Sequence, residues 1–233
     1  MTTCLQVNQG KTRVITSKDY VYECLVIRTP LITKNTVLEE VIHDYVASNI
    51  EKQDIVFVSE KIIAIMQNRA IELKEIKYGK AAKLLSRFVT KTPHGIGLGI
   101  PETMQCAIDE VGLGKILIAA TASAIGKVIG KKGWFYKVAG KSVAAIDGPC
   151  DYTIPPFNRY VVLGPKNPDA VAKKIHNQLD NRAVLIVDCN DLGVEILGSS
   201  GMDMPEAAIK LLLKQNPLGQ SCEQTPIGIL RKR

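Results

Sequence analysis

Short apolar runs that alternate with helix-like periodicities are the feature that most limits the fold of this 233-residue chain. Four runs have the length and the branched or aromatic side chains of strands, at residues 22–27, 54–59, 160–163 and 183–187. Apolar residues recur at helical spacing in residues 37–46, 79–89, 167–179 and 203–216. Residues 226–230 predict a short closing strand. This alternation predicts helices layered on a sheet, in an α/β or α+β arrangement.

Two helices have recognisable ends in the sequence. Thr36 is predicted to cap the first helix, and Glu39, three residues later, would complete a capping box. Asp203 is predicted to cap the last helix, which Asn216 and Pro217 would end. These signals define a strand–helix–strand opening and an alternating second half.

Composition places the chain among ordinary soluble proteins, with 46% hydrophobic and 23% charged residues. No stretch approaches the ~20 apolar residues that a membrane crossing needs, and the polar start, residues 1–13, does not resemble a secretory signal. The six cysteines are far apart and include no C-x-x-C pair, which favours reduced thiols. We therefore expect a cytoplasmic protein with no membrane partner.

The formal net charge of +7 favours anionic partners. Lys127, Lys131 and Lys132 form the densest internal basic patch, whereas residues 231–233 are predicted to be a solvated basic end. Aromatic residues make up only 5% of the chain, so no stacking platform for nucleic acid is evident. The charge alone does not choose among nucleotides, phosphodiesters and nucleic acids, but the low aromatic content makes a nucleic acid the less favoured partner.

The glycine-rich centre does not carry a known nucleotide fingerprint. Gly95, Gly97 and Gly99 form a G-x-G-x-G, but no further glycine follows at the spacing of the dinucleotide motif, and Pro101 comes after it. We predict a flexible loop there, and the adjacent His94 is the one histidine of interest. No Walker P-loop, G-x-S-x-G or H-E-x-x-H motif is present, and no catalytic residue is assigned.

Acidic residues follow two apolar runs. Asp188 and Asp191 come directly after the run 183–187, and Asp147 follows the run 143–146, with Asp151 nearby as a competitor. Carboxylates at the carboxyl ends of strands lie where open sheets bind ligands, and hard oxygen atoms suit magnesium or manganese. The alternative for both places is a polar turn, in which Asp and Asn side chains bond to the local backbone.

A polar segment at residues 219–226 lies between the last predicted helix and strand. Its backbone N–H groups could contact phosphate, and Gln220 and Glu223 could contact a metal ion or a base.

Taken in order, these pieces resemble the γ-glutamyl ligase family that extends the deazaflavin coenzyme F420. The resemblance covers about residues 27–230, and its motifs are the segments 29–32, 54–61 with Arg69, 145–147, 187–188, and 219–220 with Glu223, Thr225 and Pro226. It implies a single domain over residues 1–233 with an α+β (mixed α/β) fold, made of two intertwined subdomains at about 1–140 and 141–233. It also implies a homodimer.

The resemblance implies a ligase that forms an amide bond through an acyl phosphate, with L-glutamate and a small-molecule carboxylate acceptor as substrates. GTP would be the co-substrate, with ATP as the open alternative, and Mg²⁺ or Mn²⁺ would assist, together with a monovalent cation. The metal ligands it implies are Asp147, Asp188 and Gln220. The nucleotide-binding residues it implies are Thr29, Pro30, Leu31, Ile32, Glu60, Lys61, Gln220 and Glu223.

Three positions depart from the family pattern. Cys189 replaces a hydroxyl residue, Cys150 replaces an asparagine, and Ile65 replaces a lysine on the nucleotide side. The alternative function is a non-catalytic protein on the same fold that binds a nucleotide or a nucleic acid.

Overall fold

The computed structural model describes residues 5–17, 20–89, 96–131, 133–191 and 193–233. His94, Gly95 and Lys132 lie outside the described residues. The chain forms two compact units. The first unit comprises Met1–Gln67 and Pro165–Arg233, and the second comprises Asn68–Gly164. The expected boundary near residue 140 falls inside the second unit, because the chain leaves the first unit once and returns to it.

The strands, in chain order, are β1 (Leu5–Gln6), β2 (Val14–Ser17), β3 (Tyr20–Ile27), β4 (Ile55–Ser59), β5 (Ala70–Glu72), β6 (Tyr160–Val162), β7 (Ala183–Asn190), β8 (Gly193–Ser200) and β9 (Ile227–Lys232). The helices are α1 (Leu38–Val41), α2 (Glu60–Met66), α3 (Lys80–Leu85), α4 (Pro101–Val111), α5 (Leu113–Val128), α6 (Trp134–Ala139), α7 (Lys141–Ala144), α8 (Pro168–Gln178) and α9 (Glu206–Leu213). The α+β class predicted from the sequence is confirmed.

A mixed sheet forms the centre of the first unit, with strand order β1-β3-β9-β4-β7-β8 and with β2 paired to β3. β4 and β7 are parallel, and the other neighbouring pairs are antiparallel. The strands predicted at 22–27, 54–59, 183–187 and 226–230 are confirmed, and the last of them lies in the middle of the sheet between β3 and β4. Their branched side chains fit because both faces of these strands are buried.

One face of this sheet packs against α9. Ile209, Leu212 and Leu213 of α9 lie in a buried cluster with Phe57 of β4 and Leu185 of β7. Gly228 of β9 is paired with Phe57, and a Cβ at Gly228 would lie 2.1 Å from the Phe57 ring. Glycine is therefore required at that position for the ring to fit against the sheet.

The helix predicted at 167–179 is confirmed as α8, with Ala172 and Ile175 buried. A Cβ at Gly198 of β8 would lie 2.3 Å from the backbone of Pro168, so this glycine allows the start of α8 to approach the strand closely.

Both predicted helix caps are wrong. α1 begins after Val37 with no side-chain cap, because the Thr36 hydroxyl accepts the N–H of Thr33 at 2.9 Å in the preceding turn. The helix then continues as a π-helix, Ile42–Ala47. α9 begins after Pro205 rather than at Asp203, because the fixed φ of proline suits the start of a helix.

The basic C-terminal residues do not form the free, solvated end that the sequence had suggested. Arg231 lies in β9, and its guanidinium contacts the buried carboxylate of Asp54 through Nε at 3.1 Å and Nη2 at 2.7 Å. Arg233 pairs with Glu23, which is also buried. The two arginines neutralise carboxylates that would otherwise be costly to bury.

The second unit combines a small antiparallel sheet, β5 and β6, with helices α3 to α7. The strand predicted at 160–163 and the helix predicted at 79–89 are confirmed as β6 and α3, the latter followed by a 3₁₀ turn, Ser86–Phe88. Arg69 is buried, and it donates to the carbonyl of Gly164 at 2.6 Å and pairs with Glu110 at 2.9 Å. The Arg69 position in the family pattern therefore has a structural role here.

Among the described residues, no single helix is long and apolar enough to cross a membrane. α4 and α5 together match such a span in length and composition, but they are bent by 114° relative to each other.

Candidate functional site

Four strands of the first unit are in register at one edge of the main sheet. Ile227, the first residue of β9, is paired with Ile27 at the end of β3 and with Val58 of β4. Val58 is also paired with Ile186 of β7. Four segments therefore meet along this edge, which we call the site edge. They are the residues after β3, the residues after β4, the residues before β9 and the part of β7 beyond Val187.

Backbone hydrogen bonds hold these segments together. The N–H of Thr29 donates to the carbonyl of Gln224 at 3.0 Å, and the N–H of Ser59 donates to the carbonyl of Pro226 at 2.8 Å. The site edge thus brings together, within one unit, the predicted nucleotide-binding segments from three separate parts of the sequence.

Only part of the segment Thr29 to Ile32 is exposed for contact with a ligand. Thr29 and Ile32 are buried, and the hydroxyl of Thr29 donates to the carbonyl of Pro30 at 2.9 Å. Pro30 and Leu31 are exposed. Contact with a nucleotide in this segment would therefore come from Pro30 and Leu31.

Glu60 and Lys61 begin α2 directly after β4. Ser59 caps the helix, since its Oγ accepts the N–H of Lys61 at 3.3 Å. Glu60 is 4% exposed, while Lys61 is partly exposed. Glu60 therefore has little contact with solvent, and a carboxyl group this deeply buried requires compensating interactions.

Asp188 occupies a hairpin rather than a loop after a strand, which corrects the sequence interpretation. β7 continues through Asp188 to Asn190, because β8 pairs with it beyond the end of β4, and Asp188 faces Glu195 across the ladder. Nδ2 of Asn190 donates to Oδ1 of Asp188 at 3.1 Å, and the N–H of Gly193 donates to Oδ1 of Asn190 at 3.1 Å. Asp188 is still the first residue of β7 past its parallel partner, and so it lies on the site edge.

Gln220 ties the last loop to this hairpin. Its Oε1 accepts the N–H of Asp191 at 2.9 Å and Nδ2 of Asn216 at 3.3 Å. A carbonyl oxygen has two lone pairs, and both are used in this arrangement. The predicted metal coordination by Gln220 stays a prediction, and it would require one of these hydrogen bonds to be exchanged.

Asn216 is a site residue that the sequence did not reveal. It is fully buried, in a left-handed conformation with φ of 51°, and its Nδ2 donates to Oδ1 of Asp191 at 3.1 Å as well as to Gln220. Its Oδ1 has no hydrogen-bond partner. The opposite amide orientation would place an acceptor against two acceptors, so the orientation is fixed. The sequence showed only an asparagine before a proline, which indicates the end of a helix.

Glu223 folds back on its own loop. Its carboxylate accepts the N–H of Ser221 at 2.8 Å and the Ser221 hydroxyl at 3.1 Å. Gly219 has φ of 83°, and a Cβ there would lie 2.5 Å from Cδ of Glu223. A glycine at this position therefore allows the carboxylate to pack against the backbone of the loop.

A second buried polar group anchors the same loop from the N-terminal region. Nδ2 of Asn8 donates to Oγ1 of Thr225 at 2.7 Å and to the carbonyl of Pro217 at 2.9 Å. The hydroxyl of Thr225 in turn donates to the carbonyl of Leu218 at 2.8 Å. Sequence reasoning missed Asn8, because nothing local distinguishes it from other polar residues near the start of the chain.

Asp147 lies in the second unit, whereas Asp188 lies in the first. The run before Asp147 was predicted to be a strand, and this prediction is wrong. The chain forms the short helix α7 there, because its alanines and lysine favour a helix. Asp147 itself forms an isolated backbone bridge with Val162, and its side chain is exposed. The convergence of Asp147 and Asp188 on shared metal ions stays a prediction.

The thiol of Cys189 is partly buried and hydrogen-bonded to the backbone. Its Sγ donates to the carbonyl of Leu213 at 3.3 Å. Burial, and secondarily the nearby Asp188 carboxylate, raise the pKa of Cys189 to about 12. The side chain is therefore a neutral thiol near pH 7. Of the other departures from the family pattern, Ile65 is buried in α2 and Cys150 is partly exposed.

No three His, Cys, Asp or Glu side chains are arranged to hold a metal ion by themselves in the part of the chain that the structure describes. Mg²⁺ is usually bound by one or two carboxylates, with water and nucleotide phosphates as its other ligands. Asp188 supplies a carboxylate at the site edge, and the buried Oδ1 of Asn216 is a further oxygen acceptor. Such oxygen donors fit Mg²⁺ or Mn²⁺ and not a thiophilic metal.

Comparison with known families identifies the chain. A family model described as F420-0:Gamma-glutamyl ligase matches residues 26–195, more than half of the sequence. The chain belongs to this family. No curated protein matches it. As a member of the F420-0:γ-glutamyl ligase family, it is a ligase that forms an amide bond, as the resemblance had implied.

The matched range of the F420-0:γ-glutamyl ligase family contains some of the predicted site residues and not others. Asp147, Asp188 and the segments 29–32 and 60–61 lie inside it. Gln220 and Glu223 lie beyond its end, so the case for them rests on their hydrogen bonds to the Asp191 region and to Ser221.

Proposed function

We propose that this protein adds L-glutamate to a small-molecule carboxylate acceptor, with a nucleoside triphosphate as the energy source. Family membership names F420-0 as the acceptor of the family, and F420-0 is therefore the first acceptor to test. The observation that carries the proposal is the site edge, where Asp188, Glu60 and the loop of Gln220 meet within one unit.

The proposed reaction consists of two chemical steps. An oxygen of the acceptor carboxylate attacks the γ-phosphorus of GTP, or of ATP, and GDP or ADP leaves, which forms an acyl phosphate. The amine of L-glutamate then attacks the acyl carbon, inorganic phosphate leaves, and the amine nitrogen loses a proton as the amide forms. A divalent ion, when bound, would neutralise negative charge on the phosphate groups.

The chain's own residues position the ion, the nucleotide and the loop of Gln220. Asp188 would hold the ion at the site edge, and Lys61 would face the nucleotide. The role of Asp147 as a second metal ligand stays a prediction. The bonds from Asn216 and the anchoring by Asn8 hold the loop of Gln220 in one conformation, so little ordering remains to be done when nucleotide binds. We also expect the active form to be a homodimer.

The test is phosphate release by purified protein with GTP or ATP, Mn²⁺ or Mg²⁺, L-glutamate and a panel of carboxylates that includes F420-0. We expect release that requires both the acceptor and L-glutamate, and its loss in Asp188→Asn. Asp180→Asn is the matched control, because Asp180 is an exposed aspartate of the same unit. Release that is independent of every acceptor would contradict the ligase proposal. Nucleotide binding without phosphate release would support a non-catalytic binding protein instead.

A further inference from the structure

One stretch of the second unit concentrates almost all of the net charge of the chain. Residues 113–146 contain no aspartate or glutamate and six lysines, Lys115, Lys127, Lys131, Lys132, Lys137 and Lys141. Since the formal net charge of the whole chain is +7, the rest of the sequence is close to neutral. The stretch includes α5 and α6, so this charge accompanies ordered helices.

The outer face of α5 is apolar. Ile116, Ala119 and Gly126 are buried, and they define the inner side of the helix. On the outer side the exposed residues are Leu113, Leu117, Ile118, Ile125 and Val128, followed by Ile129, with exposed fractions from 39% for Leu113 to 88% for Val128. At the α-helical rotation of about 100° per residue, these six side chains fall within an arc of about 160°.

Lysines border this face on both sides. On the same helical wheel Lys115 and Lys127 lie about 40° beyond the two limits of the apolar arc. Long lysine side chains can cover an apolar surface with their methylene groups while their ammonium groups reach charged neighbours. An apolar face with basic borders is the pattern of a helix that lies in the interface of an anionic membrane.

We propose that the outer face of α5 docks on an anionic lipid surface. Charge complementarity decides between the occupants. Two copies that met through this same face would bring their lysines together, with no carboxylate from residues 113–146 to pair with them. A nucleic acid would pair with the lysines but leave the apolar residues uncovered. An anionic lipid layer satisfies both the apolar arc and its basic borders.

The sequence argument against a membrane partner concerned a spanning segment, and a helix that lies on a surface requires none. The proposal is also separate from the ligase chemistry, because no predicted site residue lies in α5. Phosphate release by the α5 variants below, measured without lipid, should therefore match that of the unaltered protein.

The test is co-sedimentation of the full chain with vesicles of phosphatidylcholine alone, or of equal parts phosphatidylcholine and phosphatidylglycerol. We expect binding to the mixed vesicles and little to the neutral ones. Replacing Lys115 and Lys127 together by glutamine should weaken binding about thirtyfold. Replacing Ile118 and Val128 together by serine should weaken it by about thirtyfold or more.

Two matched controls come from the first unit. Leu211→Ser removes an apolar side chain with a comparable exposed fraction, 52%, and Lys173→Gln removes an exposed lysine. Neither should change vesicle binding.

Three results would overturn the proposal. One is the absence of binding to mixed vesicles, or equal binding to neutral ones. Another is a solution dimer that is lost in the Ile118→Ser, Val128→Ser variant, which would assign the face to a second copy. The last is RNA or DNA binding, without selectivity for anionic lipid, that is lost when Lys115 and Lys127 are replaced. In that case the replacement of Ile118 and Val128 would leave the nucleic-acid binding unchanged.

Discussion

Replacement of Asn216 by alanine tests whether this residue holds the site edge together. The change removes the hydrogen bond to the Asp191 carboxylate and the hydrogen bond to Gln220. Hydrogen bonds to charged groups contribute about 1.5–3 kcal/mol and neutral ones about 0.5–1.5 kcal/mol. Alanine in the left-handed conformation costs about 1 kcal/mol more.

One term opposes these losses. The buried Oδ1 of Asn216 lacks a partner, and its removal relieves a desolvation cost of about 1–3 kcal/mol. The net expectation for Asn216→Ala is a loss of about 2 kcal/mol in the free energy of unfolding. Asn216→Gly removes the same hydrogen bonds but tolerates the positive φ, so it should lose about 1 kcal/mol less than the alanine variant.

The measurement is urea unfolding of the three proteins beside Asn181→Ala. Asn181 also has a positive φ, 62°, but it is exposed, so its replacement reports the conformational cost alone. A second readout is nucleotide affinity in the presence of Mn²⁺, which should fall in Asn216→Ala and stay unchanged in Asn181→Ala. Equal unfolding midpoints for Asn216→Ala and the unaltered protein would refute the reasoning.

Four further predictions follow from other parts of the molecule. Asp54→Ala should cost about 3 kcal/mol in the free energy of unfolding, because it leaves the largely buried Arg231 without its main partner, and an unchanged urea midpoint would contradict this. Alkylation near neutral pH should reach exposed Cys222 well before Cys189, whose raised pKa and burial protect it, and mass spectrometry would detect the reverse order. Because an ordinary thiol ionises near 9.0 and the folded Cys189 only near 12, stability should fall as pH rises between these values, as unfolding midpoints across that range would show. Gly219→Ala should displace the Glu223 carboxylate and lower nucleotide affinity while the fold persists, which circular dichroism and a binding titration would check together.

The elements that the sequence identified are those whose apolar pattern is strong and local. β4 and β7 are continuous runs of branched residues, and α8 has its buried residues at helical spacing, so periodicity alone predicts them. The helices between residues 101 and 144 were not predicted, because glycines at their ends obscured the pattern. In α5 the apolar residues also cover the exposed side, which removes the contrast between faces that marks a helix.

Tertiary relations explain the rest of what the sequence missed. The role of Asn216 depends on Asp191 and Gln220, and Asp191 is 25 residues away in the chain. The pairing of Arg231 with Asp54 spans 177 residues. Asp188 was identified from its place after an apolar run, but its position in a hairpin depends on β8, whose sequence, with two glycines and two serines, carries no strong strand signal.

The most direct test of the ligase account follows a heavy-oxygen label from the acceptor. F420-0 labelled in its reacting carboxylate is incubated with the protein, L-glutamate, Mn²⁺ and GTP, and the released inorganic phosphate is analysed by mass spectrometry. An acyl phosphate requires that one carboxylate oxygen leave with the phosphate, so we expect phosphate carrying one heavy oxygen together with a glutamate-extended product. A glutamate-extended product accompanied only by unlabelled phosphate would contradict the account.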